Sequence, residues 1–112
     1  MILSFALTQS EFLSGQKTET RRNWTDRTLK CWQNAWDAGR VTHIAADRGL
    51  HRGGKIIGRF KLTARPERQP LFFMLPSNLK AEGGMCATVA DFCALVKQPA
   101  TKPMVVVKFL KV

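Results

Sequence analysis

Apolar residues in this 112-residue chain come in two rhythms: alternating runs that suit half-buried strands, and spacings of three and four that suit helices. The clearest alternation spans residues 55–63. Ile56, Gly58, Phe60 and Leu62 point one way, while Ile57, Arg59, Lys61 and Thr63 point the other. One face is predicted to enter a core and the other to carry positive charge. Residues 2–5 predict a first strand, residues 41–46 another, and the β-branched residues 104–112 the last. Pro66 and Pro70 are expected to end the alternating strand and bracket a charged turn. Residues 71–75 form an apolar run whose period does not separate a short strand from a buried helix entry.

The helical spacings fall between these strands. Thr8 or Ser10 is placed to cap a short helix carrying Phe12 and Leu13, which Gly15 ends in a left-handed conformation. Thr25 and Asp26 predict the start of a second helix, with Leu29, Trp32 and Trp36 on one face and Gly39 as its stop. Trp32 and Trp36 read as core, whereas Trp24, outside that pattern, reads as an exposed stacking surface. Residues 47–54 hold Arg48, His51, Arg52, Gly53 and Gly54 and predict a basic loop or hairpin connection. A helical turn starting at residues 76–78 would carry Leu79 and present Glu82 just before Gly83 and Gly84. Thr88, with Asp91 three residues on, caps a last helix that buries Val89, Phe92, Cys93 and Val96.

Length and composition narrow the fold class. Residues 1–112 suit one domain, and 45% hydrophobic content supports a folded chain of mixed α/β, β-rich character. No apolar run approaches the length of a membrane-spanning helix, and the apolar start reads as a strand rather than a secretory signal. Cys31, Cys86 and Cys93 form no C-x-x-C pair, and their odd number argues for free thiols in a reducing cytoplasm. With only His43 and His51 beside them, no metal or cofactor is expected.

Charge changes the picture. The formal net charge is +10, and residues 16–68 hold 13 Lys/Arg against 5 Asp/Glu. Such a surplus favours polyanions, with RNA or DNA the obvious candidates, although charge that serves only solubility gives the same count.

The chemistry concentrates in residues 15–22, where Gly15, Lys17, Thr18, Glu19, Thr20, Arg21 and Arg22 follow a helix end. A lysine desolvated beside arginines loses part of its affinity for a proton. A neutral Lys17 could then deprotonate the Thr20 hydroxyl, provided the chain bends to bring the two together. Glu82 could carry protons, and Arg22 could hold a carbonyl, ribose or phosphate oxygen. The plainer alternative is a polar network of Lys17 and Arg22 with Glu19 or Glu82 that only holds a loop.

The pattern Gly-x-Lys-Thr-x-Thr-x-Arg, met as Gly15, Lys17, Thr18, Thr20 and Arg22, resembles the signature of the ASCH domain family of the PUA-like superfamily. The likeness extends through residues 2–5, the segment 79–84 with its double glycine, the helix with Phe92, and residues 105–109. It implies a single PUA-like β-barrel with peripheral short helices, and RNA or a modified nucleoside as partner. Gly15, Thr18, Arg21, Arg22, Trp24, Arg52, Arg59 and Lys61 would then meet the ligand or its phosphates. Some small members of that family are amidohydrolases of N4-acylated cytidines. By that resemblance Thr20 would be nucleophile, Lys17 its activator and Glu82 the proton carrier. The chain departs from the hydrolase-like pattern at Glu19, Arg21 and Arg40 and in the tryptophan-rich segment 24–36, which leaves the substrate open. Three functions stand: a basic cleft that binds RNA or a modified nucleoside; a small metal-independent hydrolase, whether an N4-acylcytidine amidohydrolase or, less readily, a ribonuclease; or a protein-interaction barrel whose charge serves solubility.

Overall fold

The computed structural model describes all 112 residues, with Leu50 described by its backbone alone. Six strands and four short helices follow in the order β1 (Ile2–Ser4), α1 (Gln9–Leu13), β2 (Glu19–Arg22), α2 (Asp26–Asp37), β3 (Thr42–Ala46), β4 (Ile56–Leu62), β5 (Glu67–Pro70), α3 (Pro76–Ala81), α4 (Val89–Val96) and β6 (Pro103–Lys111). The architecture is mixed α/β and β-rich: a curled half-barrel sheet of six strands with short helices around it.

β6 is the spine. Its Val106 pairs with Arg21 of β2 on one edge and with Glu67 of β5 on the other, and its last residues pair with β4. The full order is β1-β3-β4-β6-β2, with β5 beside β6. Only β1 and β3 run parallel; the other neighbours are antiparallel. The sheet curls until its two end strands, β1 and β2, come within reach of a single side chain. Arg22 Nη2 on β2 donates to the Ser4 carbonyl oxygen on β1 at 2.6 Å.

The local rules act as the sequence predicts at the starts of α2 and α4, whereas Thr8 stands at the N-cap of α1 with no side-chain cap hydrogen bond. The Thr25 side chain accepts from the Thr28 amide, and Thr88 accepts from Asp91, each satisfying an otherwise orphaned N–H. Gly15 takes φ +79° after α1, a conformation costly for any residue with a Cβ. Inside the curl, Leu3, Phe5, Phe12, Trp32, Phe60, Leu62, Val105, Val107 and Phe109 form the main core. Phe5 and Phe12 stack with centroids 4.7 Å apart, which anchors the chain leaving β1 against α1. A second cluster of Leu71, Met74, Leu79, Phe92 and Met104 lies under α3 and α4.

Two expectations are corrected. Phe60 and Leu62 point inward as the alternation requires, but Ile56 is exposed and Ile57 packs against the core. Opposite the step Ala45–Ala46, β4 advances from Gly58 to Ile56, so Ile57 is the extra residue of a bulge that inverts the alternation at the strand's start. The residues between the prolines form strand β5 rather than a turn. Pairing with the long apolar β6 outweighs their weak strand propensity, and a strand flanked on one side only tolerates Pro70. The ambiguous run at 71–75 resolves into a short 3-10 turn, Leu71–Phe73.

Candidate functional site

A cavity of about 330 Å³ opens where the half-barrel fails to close. It lies between the two end strands and under α3 and α4, at the junction of the two apolar clusters. Phe5, Leu79, Phe92 and Val96 supply apolar walls, and Lys17, Thr20, Arg21, Arg22 and Glu82 supply polar groups.

The backbone that delivers these groups is tied on three sides. The Lys17 amide donates to Glu11 of α1 at 3.0 Å and the Thr18 amide to Ala81 of α3 at 2.8 Å. The Thr18 carbonyl accepts from Phe109 of β6 at 2.9 Å. β2 then starts, and its alternation divides the side chains. Glu19 and Arg21 turn toward α3, while Thr20 and Arg22 turn toward β1.

Glu82 closes α3 as its C-cap residue. Gly83 follows with φ +125°, and a Cβ there would sit 3.2 Å from Thr8 Cγ2. Glycine at 83 therefore lets the chain turn tightly against α1 and leaves the Glu82 carboxylate inside the cavity.

The charged groups interlock. Lys17 Nζ donates to Glu82 Oε1 at 3.1 Å and also to the Glu82 carbonyl oxygen. Arg21 Nη1 donates to Glu82 Oε2 at 3.0 Å, and its Nη2 lies 3.2 Å from Glu19 Oε1. Asn78 Nδ2 donates to both Glu19 oxygens at 3.1 Å. Lys17, Glu19, Thr20, Arg21 and Glu82 are all buried. Arg22 Nε donates to Thr20 Oγ1 at 3.1 Å, and its guanidinium carbon stands 5.4 Å from the Phe5 ring centroid.

Burial pushes the Lys17 ammonium below its ordinary value of 10.5; the neighbouring Glu82 opposes that shift without cancelling it, and Arg22 and Arg21 add to it. Burial likewise lowers the Arg22 guanidinium below its ordinary value, with the Glu82 charge opposing the shift. Cys86, on the cavity wall, is held above 9.0 by burial and by the charges of Asp91 and Glu82, so its thiol stays protonated at neutral pH.

Of the residues singled out by sequence, the structure brings Lys17, Thr20, Arg21, Arg22 and Glu82 to one cavity. Gly15 and Thr18 shape the approach to it without lining it. Trp24 is half-buried and stacks on Trp32 with centroids 5.1 Å apart, so it is not exposed. Arg52, Arg59 and Lys61 are exposed and lie outside the cavity, Arg59 and Lys61 on the outer face of β4. The residues that sequence reasoning missed are the walls. Leu79 and Phe92 carry ordinary core patterning, and no sequence signal separates a core face from a cavity face. Among the described residues, no three His, Cys, Asp or Glu side chains converge as metal ligands would, and no helix is long and apolar enough to cross a membrane.

No protein-family model, curated protein or solved structure matches the chain.

Proposed function

We propose that this chain is an ASCH-type, PUA-like domain whose cavity receives a modified nucleoside, free or carried in RNA. One observation carries the reading: Lys17, Thr20, Arg22 and Glu82, from two distant segments, share a single cavity with apolar walls. Small-molecule sites combine largely apolar linings with a few convergent polar groups in this way. A nucleobase has two apolar faces and an edge of donors and acceptors. Phe5, Leu79 and Phe92 suit the faces; Lys17 and Arg22 donate, and Glu82 accepts. Calorimetric titration of cytidine, N4-acetylcytidine and uridine tests the reading. Saturable one-to-one binding of at least one of them is expected, lost in Ala6→Trp, which fills the exposed mouth of the cavity. No binding by any of the three to the folded protein would overturn it.

A second reading, an N4-acylcytidine amidohydrolase, is favoured by the environment of Thr20. Its Oγ1 accepts from Arg22, so its own proton remains available for transfer, and a lysine with a lowered proton affinity lines the same cavity. In such a reaction Thr20 Oγ attacks the acyl carbon while its proton passes to Lys17. The C–N bond then breaks as that proton, relayed from Lys17 through Glu82 Oε1, reaches the departing amine; water then hydrolyses the acyl ester, its hydroxyl going to the acid released and its other hydrogen back to Thr20 Oγ. Lys17 Nζ, however, is directed at Glu82, and no hydrogen bond joins it to Thr20 among the described residues. Binding without turnover is therefore the leading reading. Turnover of N4-acetylcytidine by the wild type, abolished in Thr20→Ala, would reverse that order.

A further inference from the structure

We infer that the cavity anchors a phosphate ester on Arg22, so that its ligand is a nucleotide rather than a neutral nucleoside. This rests on the reading that the cavity is a ligand site and adds the ligand's charge.

The charges gathered at the cavity do not balance. Three cations, Lys17, Arg21 and Arg22, gather at the cavity against two carboxylates, Glu19 and Glu82. Both carboxylates are already engaged: Glu82 by Lys17 and Arg21, Glu19 by Arg21 and the Asn78 amide. Glu82 acts on Arg22 only at longer range, and the direct partners of Arg22 are neutral: the Thr20 hydroxyl, the Ser4 carbonyl and the Phe5 ring. Among the described residues no carboxylate forms an ion pair with it.

Arg22 is half-buried; a charge partly withdrawn from water is stabilised by a counter-charge, and arginine does not escape by releasing its proton. The geometry also leaves a point of attachment. Nε and Nη2 are occupied, whereas Nη1 has no protein partner and is not sealed from solvent. It belongs to a side chain that lines the cavity. A phosphate oxygen there would take a charge-assisted hydrogen bond in a poorly hydrated setting, where such bonds are strongest. The anion completes the count, giving three cations against three anions.

The phosphate has two sources, the 5′-monophosphate of a free nucleotide and the diester of an RNA strand. Titrating the wild type with N4-acetylcytidine, its 5′-monophosphate and a trinucleotide bearing it centrally separates them. One of the two phosphate-bearing ligands is expected to bind about tenfold or more tightly than the nucleoside, as one charge-assisted hydrogen bond supplies. A monophosphate advantage points to free nucleotides; an advantage confined to the trinucleotide points to RNA. In Arg22→Gln the ratio should collapse to about one. Arg22→Lys, which keeps the charge and loses the fork, should retain part of it and serves where the Gln variant fails to fold.

Equal affinity of the wild type for all three ligands overturns the anion anchor while leaving the cavity reading intact. An advantage that survives in Arg22→Gln also overturns it. Binding by none of the three removes both.

Discussion

Lys17 Nζ lies 3.1 Å from Glu82 Oε1, although the two residues are 65 positions apart and both side chains are buried. The contact joins the segment after α1 to the end of α3, and Arg21 approaches the other oxygen of the same carboxylate. Sharing predicts an asymmetry. Lys17→Met leaves Glu82 paired with Arg21, whereas Glu82→Gln leaves Lys17 without its carboxylate and Arg21 with Glu19 alone. Removing one partner of a buried pair costs about 3–5 kcal/mol when the other charge is stranded. Glu82→Gln is therefore expected to lose that much in urea denaturation, and Lys17→Met less. The opposite order would mean that Arg21 does not share the carboxylate.

The same lysine predicts an alkaline signature. Burial lowers its folded pKa below the 10.5 of the unfolded chain. Between the two values the unfolded chain still holds a proton that the folded chain has released, so stability rises with pH across that window. Relative to Lys17→Met, the wild type should gain stability as pH climbs toward 10.5. Paired denaturation curves at several alkaline pH values read the difference directly, and a difference that is flat or falls with pH contradicts the burial argument.

Legibility differed by element for physical reasons. The helix starts at Thr25 and Thr88 and the stop at Gly15 were readable because capping is local chemistry. The reversal at Ile56 and Ile57 was not, because a bulge is set by the partner strand β3. Strand β5 was hidden for the same reason: its residues become a strand only because β6 offers them an edge. At the site, the short spacing from Lys17 to Arg22 was visible, and so was Glu82 before its double glycine. Their convergence depends on how far the sheet curls, which no local pattern encodes. Trp24 broke the helical period and so read as exposed, but the end of β2 carries it back onto Trp32.

His43 predicts an acid-side effect. It is buried among aromatic rings, with its centroid 4.6 Å from that of Trp32, and its Nε2 has no partner. Burial first, then the charge of the terminal amine, lowers its pKa from 6.5; the Arg40 backbone opposes the shift and the Arg40 charge adds to it. As pH falls below 6.5 the unfolded chain takes up a proton that the folded chain refuses, so stability declines until the folded pKa is reached. His43→Phe should flatten that part of the stability profile. An unchanged acid slope in the variant would place the sensitivity elsewhere.

The proposal that RNA presents the ligand makes a prediction about the surface away from the cavity. Arg52, Arg59 and Lys61 are exposed, and none of them meets a carboxylate among the described residues. Cations so placed act on a polyanion by releasing condensed counterions, so affinity for single-stranded RNA should fall steeply with salt. Each phosphate contact on a single strand contributes about 0.7 to the slope of log affinity against log salt. Arg59→Ala combined with Lys61→Ala should therefore weaken binding at low salt and flatten the slope by about 1.4. Both residues lie on the outer face of β4, so this loss has a different signature from that of Ala6→Trp, which blocks the cavity mouth and should leave the salt slope in place. Fluorescence anisotropy of a labelled oligonucleotide across a salt series reads both quantities. RNA binding that is absent at low salt, or that does not respond to salt, would remove RNA as the carrier of the ligand and leave free nucleosides and nucleotides as the candidates for the cavity.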